Sequence, residues 1–370
     1  MSAHDRGDSA RTAYLAAEGF AAELAYELGP IEFTHDRLLV AAGSPKSAAW
    51  AQNIWLDPFE IAIDSIGDAA KKLRAIQRNW SSYAPRHYRR ATLIQTQLPV
   101  VSAKPLVFGM PAPNAPLGSW TLLDANTVLA APHCTSPFPN GEVRFVEDRT
   151  GPPSRAYLKL WEALTVIGEQ PRPGDICLDL GASPGGWSWA LAQLGARVIS
   201  VDKAPLAPEI ARLPGIETIA ESAFALDPRS VGPIDWLFSD IVCYPARLLA
   251  LIERWLAAAT CRRFVCTIKF QGETDHAIAR ASPRSPARSC ATSTTTSTSS
   301  PGSSWTRWCT CAAASVSRPA RAEGNISLHE CRLGGWPNCE NSSIHTRRIG
   351  FRAVRPQALS EDNRSALGCR

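Results

Sequence analysis

The run Leu178-Asp179-Leu180-Gly181-Ala182-Ser183-Pro184-Gly185-Gly186-Trp187 joins an apolar, strand-like stretch to a glycine turn that opens a helix. Glycines at such a turn let the backbone approach a ligand closely. Gly181 is followed by Ala, Ser and Pro before the Gly185-Gly186 pair. The run is therefore not the G-x-G-x-x-G dinucleotide fingerprint, and a nicotinamide oxidoreductase becomes the weaker reading. About twenty residues further on, Asp202 ends the next strand, a position from which a carboxylate accepts hydrogen bonds from a ribose diol. Asp179, the glycine turn and Asp202 together suit a ligand with a ribose and an ammonium group but no pyrophosphate, which points to S-adenosylmethionine. Either Asp alone would pass for a helix cap or a surface charge.

Around this turn the chain alternates. Arg155 to Ile167 reads as helix, Ile176-Cys177-Leu178 as strand, Gly186 to Leu194 as a helix stopped by Gly195, and Val198 to Val201 as strand. Trp236 to Ser239 and Phe264 to Ile268 are two further strands, separated by a helix from Pro245 to Ala259. Such alternation predicts an α/β fold with a parallel, doubly wound, Rossmann-like sheet. The last two strands run into Asp240 and Lys269, and the carboxyl ends of parallel strands are where such sheets bind ligands and do chemistry.

Upstream the pattern is mixed. Thr12 to Leu28 has apolar spacing compatible with an amphipathic helix, weakened by Gly19. Leu38-Leu39-Val40, Ile61-Ala62-Ile63 and Leu106-Val107-Phe108 are strand-like, and Trp120 to Leu123 meets Thr127 to Leu129 across Asp124-Ala125-Asn126, a turn. Between Pro137 and Pro153 the chain is rich in Pro and Gly, with only Val143 to Val146 resembling a strand. The expected organisation is a smaller α+β region over 1–150, the Rossmann-like domain over 151–280 and a tail over 281–370.

The 370 residues are 45% hydrophobic and 20% charged, enough for two ordinary domains and incompatible with a disulfide miniprotein or a wholly disordered chain. The net charge of +5 is unevenly spread. Residues 281–370 hold twelve Arg against five Asp or Glu, a net +7, so residues 1–280 carry −2. Six of the 11 cysteines also fall in that tail, and no spacing spells a disulfide framework or a metal site. The polar start and the lack of long apolar windows predict a cytoplasmic chain without a membrane partner, with a monomer favoured.

Ser154-Arg155-Ala156-Tyr157-Leu158-Lys159-Leu160, the Asp179 to Trp187 run, Asp240 and Ile268-Lys269 resemble, in order and spacing, the FtsJ-like ribose 2′-O-methyltransferases. The closer likeness is to the large-subunit rRNA methyltransferase M group, whose catalytic domain follows an RNA-capturing domain of THUMP type. The resemblance implies S-adenosylmethionine as cofactor, large-subunit rRNA as partner and no metal. It also implies a catalytic Lys-Asp-Lys-Glu set, of which Lys159, Asp240 and Lys269 match the first three, with Lys269 as general base and Asp240 and Lys159 as its partners. The chemistry needs such residues. A ribose hydroxyl is a poor nucleophile, so a lysine held at a useful pKa must take its proton, while the activated donor chiefly needs in-line positioning. The cofactor contacts implied are Asp179, Gly181, Ala182, Ser183, Pro184, Gly185, Gly186, Trp187 and Asp202. Glu221 stands where relatives carry an acidic residue facing the adenine. Lys159 and Arg155 would otherwise read as the solvated side of a helix.

The fourth member, a Glu, is expected roughly thirty residues beyond Lys269, the spacing the resemblance implies. Residues 281–320 instead hold no Asp, Glu or Lys and 18 Ser or Thr, a composition that predicts disorder. A shifted reading frame accounts for this tract. Joining the last base of each codon from Thr292 to Gly302 to the first two of the next permits Leu-Tyr-His-Asn-Lys-His-Glu-Leu-Thr-Trp, which resembles the family's motif around its final Glu. That Glu would straddle the codons of Thr298 and Ser299. The expectation is a chain in frame to about residue 280 and out of frame afterwards, with impaired activity. The sheet would lack its last strands and leave an open, apolar edge on the strand that ends at Lys269.

Overall fold

The computed structural model describes residues 10–102 and 104–269, together with the backbone of two later strands, 288–291 and 310–313. In chain order the elements are β1 (Arg11–Ala16), α1 (Ala21–Leu28), β2 (Phe33–His35), β3 (Leu38–Ala42), β4 (Ala51–Leu56), β5 (Phe59–Ala62), α2 (Ile66–Ile76), β6 (Trp80–Ser82), α3 (Tyr88–Gln95), β7 (Gly118–Leu122), β8 (Thr127–Ala131) and β9 (His133–Cys134). They continue with α4 (Tyr157–Ile167), β10 (Ile176–Leu180), α5 (Gly186–Gln193), β11 (Arg197–Val201), α6 (Pro208–Ala211), β12 (Ile216–Ile219), α7 (Pro228–Val231), β13 (Ile234–Ser239), α8 (Pro245–Ala258), β14 (Cys261–Thr267), β15 (Arg288–Ala291) and β16 (Thr310–Ala313).

The N-terminal part holds two sheets, ordered β2-β3-β1-β4-β9 and β5-β8-β7-β6. The helix expected from Thr12 is corrected here: Arg11–Ala16 is a strand and only Ala21–Leu28 is helical. β1 pairs on both sides, with β3 and β4, and residues 12–16 are all buried. A strand buried on both faces has no alternation, so its apolar residues pass for a helical stripe. Gly19, at φ +81, breaks the chain between strand and helix. The Trp120 and Thr127 strands pair across the expected turn, where Asn126 N–H donates to Asp124 Oδ1 at 2.7 Å. The strands expected at Leu106 and Val143 reduce to a single bridge, Leu106 to Phe145. α2 and α3, which the sequence did not announce, bury Ala69, Ala70 and Leu73, and Ala91 and Ile94, in one cluster with Trp80, Trp120 and Val128.

The seven-stranded sheet has the order β12-β11-β10-β13-β14-β16-β15, and its first five strands are parallel. Alternate side chains feed two cores. Cys177, Val198, Trp236, Phe238 and Val265 meet α4 and α5 through Leu160, Trp161, Trp187 and Leu191. Leu178, Leu180, Leu237, Phe264 and Cys266 meet α8 through Leu248, Leu251 and Trp255, in a cluster that runs on to Tyr14, Leu39 and Trp50. The sheet is thus doubly wound, as the helix and strand alternation predicts. On the outer side of α4, Phe108 stacks on Trp161 with centroids 4.6 Å apart, and Phe145 meets the same ring edge-on at 5.6 Å.

The open edge expected on β14 is a further correction. β16 pairs antiparallel with β14, Val265 opposite Ala312 and Thr267 opposite Thr310, and β15 pairs antiparallel with β16. Strand pairing satisfies backbone N–H and C=O groups whatever the side chains, so composition was a poor guide there. The remainder of the expected disordered tail lies outside the described residues.

Candidate active site

β13 and β14 run side by side and in register, Ser239 opposite Cys266. Their carboxyl ends therefore deliver Asp240 and Lys269 to one place. Lys159 joins them from the first turn of α4, whose buried face of Tyr157, Leu160 and Trp161 fixes how that turn lies on the sheet. The three charges meet on one carboxylate. Lys269 Nζ is 3.3 Å from Asp240 Oδ1, and Lys159 Nζ is 3.6 Å from Oδ2. Lys269 also donates to the Asp240 backbone carbonyl at 2.7 Å. Side-chain exposure is 18% for Lys159, 15% for Asp240 and 6% for Lys269, so the group sits almost out of water, where charges interact strongly.

Thr267, not expected from the sequence, completes the arrangement. Its hydroxyl donates to Asp240 Oδ1 at 2.7 Å. A signal was present all the same: Thr267 lies two residues before Lys269, and a period of two puts both on one side of an extended chain. Burial pulls the Lys159 ammonium down to about 8; the Asp240 carboxylate opposes this and the Lys269 charge adds to it.

The glycine turn lies beside this group. Gly181 has φ +81, and a Cβ there would come within 2.6 Å of Ile241 Cγ1, so the loop after Asp240 rests directly on the turn. Gly185, at φ +113, would likewise strike Ile210. Asp202 closes the turn from β11, accepting from Ser183 N–H at 3.1 Å and Ala204 N–H at 2.9 Å. Ser183 Oγ donates to the Pro205 carbonyl at 2.9 Å.

The expected cofactor residues divide by burial. Gly181, Ser183, Pro184, Asp202 and Glu221 reach the surface, whereas Asp179, Ala182, Gly185, Gly186 and Trp187 are buried. The Trp187 side chain serves the core of this region. Its ring packs edge-on to Phe238 and its Nε1 donates to the Ala156 carbonyl at 2.9 Å, which ties α5 to the base of α4. Asp179 lies beneath the turn, one oxygen accepting from Ser188 Oγ at 2.7 Å and the other without a hydrogen-bond partner among the described residues. Burial pushes its carboxyl up to about 7; the Ser188 bond opposes the shift, and Asp240 and Asp202 add to it. Arg155 is exposed and pairs with Glu147 at 2.7 Å. Among the described residues no cluster of three His, Cys, Asp or Glu side chains is placed to hold a metal ion, and no helix is long and apolar enough to cross a membrane.

Residues 152–275 match the family described as FtsJ-like methyltransferase. The chain is 39% identical over 135 residues to the ribosomal RNA large subunit methyltransferase M of Halorhodospira halophila, covering 36% of this chain and 39% of that protein. It is 37% identical over 158 residues to the protein of the same name from Azotobacter vinelandii, covering 41% and 44%. The matched segment thus spans less than half the length of either relative. Among solved structures, an rRNA methylase from Streptococcus thermophilus aligns at 14% identity over 43% of this chain and 96% of that one, with a TM-score of 0.31. Magnesium protoporphyrin IX methyltransferase from Synechocystis aligns at 16% over 44% and 79%, with a TM-score of 0.31. The matched residues contain the glycine turn, Lys159, Asp240 and Lys269 alike, so it is to an FtsJ-like methyltransferase domain that the part of the chain carrying the site is similar.

Proposed function

We propose that this chain is an S-adenosylmethionine-dependent ribose 2′-O-methyltransferase of the lineage that modifies large-subunit rRNA. The observation that carries the reading is the meeting of Lys159 and Lys269 on the Asp240 carboxylate, at 3.6 and 3.3 Å, beside a glycine turn closed by Asp202.

The residues present fit the cofactor. Each Asp202 oxygen accepts one backbone N–H and keeps a lone pair for a ribose hydroxyl, Gly181 and Ser183 offer backbone at the rim, and Glu221 stands at the end of the neighbouring strand. When bound, S-adenosylmethionine supplies an activated methyl group. The protein's own task is to orient the acceptor ribose and remove the hydroxyl proton. Burial brings the Lys159 ammonium to about 8, and it stands 3.6 Å from Asp240 Oδ2 on the first turn of α4, which suits it to accept the proton. Lys269 is engaged as a donor to the Asp240 carbonyl and carboxylate and orients the group. This exchanges the roles that the resemblance implies for the two lysines.

RNA as the partner is supported by a segregation of charge. Residues 69–123 contain eight Lys or Arg and no Asp or Glu. Lys71, Arg74, Arg78, Arg86 and Arg89, on and around α2 and α3, are exposed, and none of the five ion-pairs with a carboxylate among the described residues. Local cationic surface on a part of the chain that is otherwise acidic suits phosphate contacts and gives residues 1–150 an RNA-holding role.

Calorimetry with S-adenosylhomocysteine tests the cofactor site. One site per chain is expected, with affinity lost in Asp202→Ala, and no binding by the folded chain overturns the reading. A second reading, a non-catalytic RNA-binding remnant, is favoured by the absence of any carboxylate in residues 281–320. Resequencing the gene around codon 280 and comparing methyl transfer to undermodified rRNA by this chain and by an in-frame chain separates the two. Transfer by the in-frame chain alone assigns the remnant; transfer by both assigns the enzyme.

A further inference from the structure

The loop from β13 to α8, Asp240-Ile241-Val242-Cys243-Tyr244, begins at the shared carboxylate and ends as the cap of α8. It is anchored at both ends, by Ile241 against Gly181 and by the buried Pro245. Between these anchors Val242 is 80% exposed and Tyr244 is 68% exposed, and the Tyr244 hydroxyl makes no hydrogen bond among the described residues. An aromatic ring held outward on a fixed loop, four residues from a site carboxylate, contributes nothing to the core.

Its neighbour is a fixed cation. Arg247, three residues along and so on the same side of the helix, lies with its guanidinium 3.9 Å over the Phe224 ring. The Phe224 loop is itself held, because Arg254 donates to the carbonyls of Phe224 at 2.7 Å and Leu226 at 3.0 Å. Arg247 is therefore held over that ring, and it forms no ion pair among the described residues. Cys243, which precedes Tyr244, feels the charges of both Lys269 and Arg247, which ties this strip to the charged pocket. An exposed ring for stacking beside a guanidinium for phosphate is the combination that grips an unpaired nucleotide.

We propose that Tyr244 and Arg247 form the acceptor-nucleotide clamp of this domain: Tyr244 stacks on the base of the nucleotide whose ribose enters the pocket at Asp240, and Arg247 takes the adjoining phosphate. The clamp rests on the RNA methyltransferase reading. It assigns base contact to the outer lip and leaves the buried lysines to address the sugar alone.

The test uses the full chain saturated with S-adenosylhomocysteine and an in vitro transcript of large-subunit rRNA containing 4-thiouridine. Tyr244→Ala is expected to weaken RNA binding about tenfold and Tyr244→Phe to leave it within about twofold, since stacking needs the ring and not the hydroxyl. Affinity for S-adenosylhomocysteine stays unchanged in both, and photocrosslinks in the unsubstituted chain map to the peptide holding Tyr244. Arg247→Lys keeps the charge but loses the planar fork, and weakens RNA binding several-fold. If the unsubstituted chain binds RNA and Tyr244→Ala binds it equally well, the clamp is overturned and the methyltransferase reading survives. Loss of S-adenosylhomocysteine affinity in Tyr244→Ala marks a structural role and also overturns the clamp. An unsubstituted chain that binds neither probe removes the reading on which the clamp rests.

Discussion

Thr267 holds Asp240: its hydroxyl donates to Oδ1 at 2.7 Å, on the same oxygen that Lys269 approaches at 3.3 Å. The bond fixes the carboxylate so that Oδ2 is turned toward Lys159. Thr267→Val keeps the shape and removes the donor. A hydrogen bond to a buried charged group is worth about 1.5–3 kcal/mol, so methyl transfer by the in-frame chain is expected to fall by between about 10-fold and about 150-fold. Thr267→Ser restores most of it, and S-adenosylhomocysteine affinity is unchanged. Equal rates for the Val and parent chains would remove Thr267 from the positioning of the site.

Asp179 gives the fold a pH dependence. Its carboxyl ionises near 3.8 when unfolded and near 7 when folded, so between those values unfolding releases a proton. Stability therefore falls as pH rises from about 4 to about 7, and the cost, on the order of 4 kcal/mol, is complete above about 7. Asp179→Asn has no proton to release. Thermal unfolding followed across this range should show the substituted chain gaining stability relative to the parent as pH rises; parallel profiles would place the ionised carboxylate in a better-solvated site than the structure gives it.

The basic surface on α2 and α3 has an ionic-strength signature. Withdrawing one cation from a phosphate flattens the slope of log affinity against log salt by about 0.7 for single-stranded RNA. Replacing Lys71, Arg86 and Arg89 together by Ala should reduce the slope by about 2, without altering S-adenosylhomocysteine binding. An unchanged slope would move the RNA to another face.

Pairing of β14 with β16 covers an apolar edge. Truncation after residue 280 is expected to open to hydrogen exchange those amides of 265–267 that face β16 rather than β13, and to make the chain self-associate. Equal protection in truncated and full chains would show that residues 310–313 do not seal the sheet.

Much of the parallel sheet was legible in the sequence because each of its strands is short, apolar and bounded by Gly or a charge, as at Leu178 and Gly181 or Phe238 and Asp240. β1 was not, since burial on both faces erases the alternation that separates strand from helix. β15 and β16 were hidden because their sequences carry no apolar pattern. Lys159, Asp240 and Lys269 were found from motif order, but their sharing of one carboxylate belongs to the register of β13 and β14. The packing of the Trp187 ring against Phe238 was not legible from its place in the motif, and Thr267 was overlooked because a Thr in a strand is ordinary.

The most direct test follows Lys159 itself, by NMR of 13C-methylated lysines with the signal assigned by its loss in Lys159→Arg. S-adenosylmethionine and S-adenosylhomocysteine differ by the positive charge on sulfur, and a neighbouring like charge disfavours an ammonium. The Lys159 midpoint, about 8 in the free chain, should fall further with S-adenosylmethionine than with S-adenosylhomocysteine. Identical midpoints with the two ligands would mean that the lysine does not face the methyl donor, and would contradict the account.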